Sequence, residues 1–172
     1  MRPTSPWVIQ PQKKTLVVSV ADMIASNDPS AELVTYSLGS CLGVTAYDPK
    51  QRVGGLLHLM LPSSTLDARK AAARPYLFVD TGVPRLFHAL YSFGAEKRRL
   101  AVKAAGGAHL LDDENMFKIA ERNLAALRAI LERNGVRLGS TDVGGRRSRN
   151  LRLDLASGDV TVESPGQPPR RL

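Results

Sequence analysis

The chain has 172 residues, 43% of them hydrophobic and 23% charged, a balance that belongs to one folded domain rather than to a disordered or membrane-spanning chain. Lysine and arginine number 24 against 16 acidic residues, and the net charge of +8 suits an acidic partner. One cysteine excludes an intrachain disulfide, and with only three scattered histidines it leaves no pair at zinc-ligand spacing, so no metal site is expected.

Residues 1–13, with Pro3, Pro6 and Pro11, read as a loosely held arm. They lack the continuous apolar stretch of a secretory signal, and with one cysteine a reducing cytoplasm is the expected setting. Residues 16–20 form a short apolar run that reads as a strand, and Asn27-Asp28-Pro29-Ser30 reads as a turn. Strand-like runs follow at 32–38 and 42–47, the second closed by Asp48-Pro49, and again at 53–61, stopped by Pro62.

The spacing of Val83, Leu86, Phe87, Leu90 and Tyr91 predicts a helix over 81–93, with Asp80 as its N-cap and Gly94 just past its end. Residues 100–104 read as a buried strand running into a Gly106-Gly107 turn. A long helix is predicted over 115–134, with Met116, Ile119, Ala120, Leu124, Leu127, Ile130 and Leu131 on one apolar face. Asp112 or Asp113 would cap it and Gly135 would end it. A strand at 136–143 and a hairpin over 151–162, turning at Ser157-Gly158-Asp159, complete a single mixed α/β domain spanning 1–172. Residues 164–172, with three prolines and two arginines, read as a flexible tail.

The chemistry concentrates around Cys41, which ends the string Thr35-Tyr36-Ser37-Leu38-Gly39-Ser40-Cys41. A lone cysteine serves packing or reactivity. Gly39 and Ser40 are small enough for a sharp turn and for a reactant to approach, and the turn would direct the Cys41 N–H, with Ser40 as a further donor, at an oxyanion. A reactive thiol needs a base, and His58 lies in the next apolar strand but one, where a satisfied core histidine is the competing reading. Antiparallel pairing of the two strands would bring Cys41 and His58 together. Asn123 is expected to bond buried backbone, and Asp80 and Asp142 to cap or bridge. Gly106-Gly107 and Gly144-Gly145 read as tight turns or close strand packing, since no GxxxxGK[ST] or GxGxxG string is present. The basic runs Lys97-Arg98-Arg99, Arg146-Arg147-Ser148-Arg149 and Arg170-Arg171 read first as solvated faces and second as a surface for an acidic protein. No aromatic residue interleaves with them, so nucleic acid is not an expected partner.

Taken in order, Thr35-x-x-Leu38-Gly39-Ser40-Cys41, Gly54-Gly55-x-x-His58-x-Met60-Leu61-Pro62, Tyr76-x-x-x-Asp80, Lys103-x-x-Gly106-Gly107-Ala108, Arg122-Asn123 and Asp142-x-Gly144-Gly145 resemble the chemoreceptor glutamine deamidase family, CheD. The resemblance runs from about residue 16 to 162; Ala120 departs from it by standing where the family pattern has glycine. It implies a β-sandwich flanked by helices, in α/β/β/α layers, similar to cysteine-dependent deamidase toxins. It also implies a protein-glutamine deamidase with Cys41 as nucleophile, His58 as base and acid, and Thr35 orienting the histidine. Gly39 and Ser40 would lie at the oxyanion, and no cofactor is expected. Methyl-accepting chemotaxis receptors are the implied substrates, in chemotaxis adaptation. A CheC-type phosphatase is an implied partner, and a non-catalytic module binding it is the alternative function.

Overall fold

Residues 12–110 and 114–172 are described by the computed structural model, and their strands sort into two five-stranded sheets. The first joins β1 (Lys14–Val17), β3 (Ala31–Leu38), β8 (Arg149–Asp154), β9 (Val160–Glu163) and β10 (Arg170–Arg171), in that spatial order. The second joins β2 (Asp22–Ser26), β5 (Val53–Leu59), β4 (Leu42–Asp48), β6 (Ala101–Gly106) and β7 (Leu138–Val143). Three α-helices, α1 (Ala68–Ala73), α2 (Val79–Ser92) and α3 (Glu114–Arg133), complete the described elements together with short 3-10 turns.

Side-chain parity explains the layering. Every residue of β4 and β5 is buried, which accounts for their nearly unbroken apolar sequence. One face of this pair, with Val44, Ala46, Leu57 and Leu59, packs against Leu86 and Leu90 of α2 and Leu127 and Leu131 of α3. The other face meets the first sheet, where Leu56 and Ala105 join Leu33, Leu151, Leu153 and Val162 in a second cluster. Each fully buried leucine here contributes about 2 kcal/mol relative to exposure. The mixed α/β class and the two-sheet sandwich with flanking helices are as expected. The long helices gather on the second sheet, while the far face of the first carries Arg152, paired with Glu32 at 3.0 Å and Glu163 at 2.9 Å and lying over the Tyr36 ring.

Several local expectations change. Asp80 does not cap α2: the helix starts at Val79 after Phe78, because the fully buried Phe78 ring and the Val79 N–H bond to the Leu61 carbonyl set its start. The Asp80 carboxylate instead accepts from the Ser64 N–H and hydroxyl, at 2.9 Å and 2.7 Å, and so pins the loop entering α1. The segment 164–172 does not end as a free tail. Its last residues form β10 against β9, the Leu172 N–H bonds the Val160 carbonyl, and Lys103 Nζ donates to the Leu172 carbonyl at 2.6 Å. Strand β2 and helix α1 are elements the sequence reading passed over. The arm, as far as residue 11, and the Asp112 or Asp113 cap lie outside the described residues.

Candidate active site

Parity also builds the site. Odd-numbered residues of β3 and β4 and even-numbered residues of β5 face the space between the sheets: Leu33 and Thr35 on β3, Gly43 on β4, Leu56 and His58 on β5. β4 and β5 are antiparallel, with Gly43 opposite His58 and Leu42 opposite Leu59. Cys41 therefore stands just before β4, on the same side as His58, and its half-buried side chain closes the rim of the inter-sheet cluster. The absence of a side chain at Gly43 is what admits the first sheet: a Cβ there would lie 2.8 Å from Leu151 and 2.9 Å from Leu38.

Thr35 and His58 join the two sheets directly. Thr35 Oγ1 lies 2.7 Å from His58 Nδ1 and donates to the Val18 carbonyl at 2.7 Å. A hydroxyl has one proton, and the Val18 carbonyl can only accept. Thr35 must then accept from Nδ1–H, which fixes the imidazole tautomer and leaves the lone pair on Nε2. Nε2 is buried and has no partner among the described residues. The result is a buried proton acceptor with its orientation set by a neutral group.

The loop bearing Cys41 is held through its carbonyls. The Gly39 carbonyl accepts from Ala108 N–H at 2.7 Å, the Cys41 carbonyl from Gly107 N–H at 2.8 Å, and the Ser40 carbonyl from Asn123 Nδ2 at 3.2 Å. Asn123, fully buried on α3, also donates to the Met60 carbonyl at 2.8 Å, so one amide ties the Cys41 loop to the end of the strand that carries His58. Gly106 permits this approach, for its φ is +116° and a Cβ would lie 2.2 Å from the Cys41 carbonyl oxygen. Upstream, a bulge between Thr35 and Leu38, with Ser37 at φ 57°, turns the chain from the first sheet toward the second. The Cys41 N–H itself lies close enough to the sulfur to favour the thiolate slightly.

Burial governs the electrostatics. It pushes the Cys41 thiol up, opposed only by that N–H, and it holds His58 down to about 4. Both shifts favour the neutral thiol and neutral imidazole at pH 7.

The structure thus brings Thr35 to His58, and sets Cys41, Gly39 and Ser40 in the adjoining loop. It leaves His88 on α2 beside Tyr91, and His109 bonded through its N–H to the Gly145 carbonyl. Gly106, Gly107, Gly144 and Gly145 all have positive φ, with Gly106 closing β6 in close approach to the Cys41 carbonyl, and Asp142 bridges Arg149 and Arg170. The Val18 carbonyl and Gly43 were not foreseen. The first is a backbone group with no sequence signature; the second was marked only by its place in an otherwise apolar strand. No cluster of metal-ligating side chains occurs among the described residues.

Residues 60–164 match the family model described as CheD chemotactic sensory transduction. The chain belongs to the CheD family. It is 48% identical over 157 residues to "Probable chemoreceptor glutamine deamidase CheD 1" of Syntrophus aciditrophicus, covering 91% of this chain and 98% of that one. The similarly named proteins of Solibacter usitatus and Anaeromyxobacter dehalogenans are 44% and 47% identical, each over 88% of this chain and over 90% and 96% of their own. Among solved structures, a Neisseria meningitidis protein of the DUF152 family aligns at TM-score 0.42 and 12% identity, over 77% of this chain and 63% of that one, too loosely to bear on the argument. No helix among the described residues is long and apolar enough to cross a membrane.

Proposed function

We propose that this CheD-family chain is a protein-glutamine deamidase that acts on chemoreceptors in the cytoplasm and serves chemotaxis adaptation. The observation that carries the reading is the Val18–Thr35–His58 chain of hydrogen bonds, which leaves a buried, unpartnered Nε2 on the side of the sheet that Cys41 shares. The names of the relatives supply the substrate.

Cys41 attacks the side-chain carboxamide carbon of glutamine while its thiol proton passes to His58 Nε2. An S–C bond forms, and the carbonyl oxygen becomes an oxyanion beside the Cys41 N–H in the Gly39-Ser40-Cys41 turn. The C–N bond then breaks, and the proton on His58 leaves with the nitrogen as ammonia. Water, losing a proton to His58, attacks the γ-glutamyl thioester, the C–S bond breaks, and the proton returns to sulfur. Glutamate is released and no cofactor enters the balance. Thr35 keeps Nδ1 protonated throughout, so Nε2 is the atom that exchanges protons.

Mass spectrometry of a receptor cytoplasmic fragment, incubated with the chain and separately with Cys41→Ala, tests this. We expect each modified glutamine to gain about one dalton with the wild type and none with the variant. An unmodified fragment, together with binding of the chain to a CheC-type phosphatase, would instead support the interaction-module function.

A further inference from the structure

Two arginine runs that lie apart in sequence meet in one groove of about 510 Å3. Arg146, Arg147 and Arg149 line one wall, and Arg170 of β10 lines the other, next to Pro168 and Pro169. Asp142 stands between them and is the shared counter-ion: it accepts from Arg149 at 2.8 Å and from Arg170 at 2.6 Å. Among the described residues Asp142 is the one carboxylate lining the groove, and Arg147, Arg149 and Arg170 together outweigh it. Arg149 is almost wholly buried and acts as a fixed wall, whereas Arg147 is exposed and the Arg170 side chain is 61% exposed.

The groove adjoins the nucleophile loop. Arg149 pairs with Leu38 across β3 and β8, one residue before Gly39. Its Gly144-Gly145 edge is bonded to the 106–109 segment, through Gly144 N–H to Gly106 carbonyl and His109 N–H to Gly145 carbonyl. That same segment grips the Gly39 and Cys41 carbonyls.

We propose that this groove docks an acidic stretch of the protein substrate and so selects glutamines that have carboxylates nearby. The proposal rests on the deamidase reading. Guanidinium forks match carboxylates in bidentate geometry, and an excess of positive charge speeds encounter with an acidic chain. No aromatic side chain among the described residues lines the groove, so these residues offer no platform on which nucleic-acid bases would stack.

Binding and turnover are measured separately. The full chain carrying Cys41→Ala is titrated by fluorescence anisotropy with a labelled helical peptide of about twenty residues, roughly 30 Å long, holding one glutamine among glutamates. A second peptide replaces the glutamates by serines. We expect the acidic peptide to bind roughly tenfold more tightly at low salt, with the advantage shrinking as salt rises. Adding Arg147→Glu with Arg170→Gln should remove the preference. Equal binding of both peptides, a preference that survives the double substitution, or a DNA duplex that displaces the acidic peptide at equal concentration would each overturn the proposal. The wild-type chain is assayed in parallel for ammonia release from both peptides. Ammonia release without acidic preference refutes the groove alone, and acidic preference without ammonia release refutes the deamidase reading alone.

Discussion

At the scale of single residues, the Thr35 hydroxyl has two duties that separate experimentally. Thr35→Val preserves shape but removes the group that accepts from His58 Nδ1–H and donates to the Val18 carbonyl. We expect deamidation to slow by about a hundredfold, since the imidazole loses its fixed tautomer, and stability to fall by roughly 1–3 kcal/mol from the orphaned carbonyl. Thr35→Ser should recover most of the rate, measured as ammonia release. A purely structural threonine would give the stability loss without the difference in rate. Cys41, His58 and Thr35 could be named as candidates from the sequence as a family pattern, because side chains have letters of their own. The Val18 carbonyl that decides the tautomer was not, for every residue has one.

At the scale of elements, the tightest constraint is where β6 ends. Gly106→Ala puts a Cβ 2.2 Å from the Cys41 carbonyl oxygen at a φ of +116°. We expect a loss of about 2–4 kcal/mol, seen as a fall in melting temperature of roughly 5–15 °C, together with reduced activity below the transition because Cys41 itself is displaced. An unchanged melting temperature would show that the loop yields at little cost. The strands with strong apolar patterns, β3 to β5, and the two long helices were readable to within two residues. β2 was not, because its five residues are all only half buried and its Asp22-Met23-Ile24-Ala25-Ser26 sequence carries neither alternation nor a continuous apolar run. α1 has a capping signal in Asp67, which accepts from Lys70 N–H, but buries only Ala71 and so lacks an apolar period. The start of α2 was misplaced because Asp80 is an ordinary capping residue by type, while tertiary contacts of Phe78 decided the boundary.

At the scale of the whole molecule, burial of His58 makes stability depend on pH. Its folded value is about 4, below an ordinary 6.5, so the unfolded chain binds the proton more readily. Stability is therefore full above pH 6.5 and declines as pH falls toward 4, by about 3 kcal/mol in all. Urea midpoints between pH 7.5 and 4.5 check this, and His58→Gln should flatten the decline. Asp48 acts in a different window. Burial raises it, but the Arg99 guanidinium and the N–H groups of Glu96, Gln51 and Lys50 outweigh that and hold it to about 2, so its contribution is lost only in stronger acid. The joining of the two basic runs into one groove was also beyond the sequence, since it depends on β10 returning to the first sheet.

The bond between Thr35 and His58 crosses from one sheet to the other. Cys41 and His58 belong to one half of the sandwich, and the Thr35 hydroxyl that orients the imidazole belongs to its opposite half. On the deamidase reading, amide cleavage therefore requires both sheets to be docked on one another.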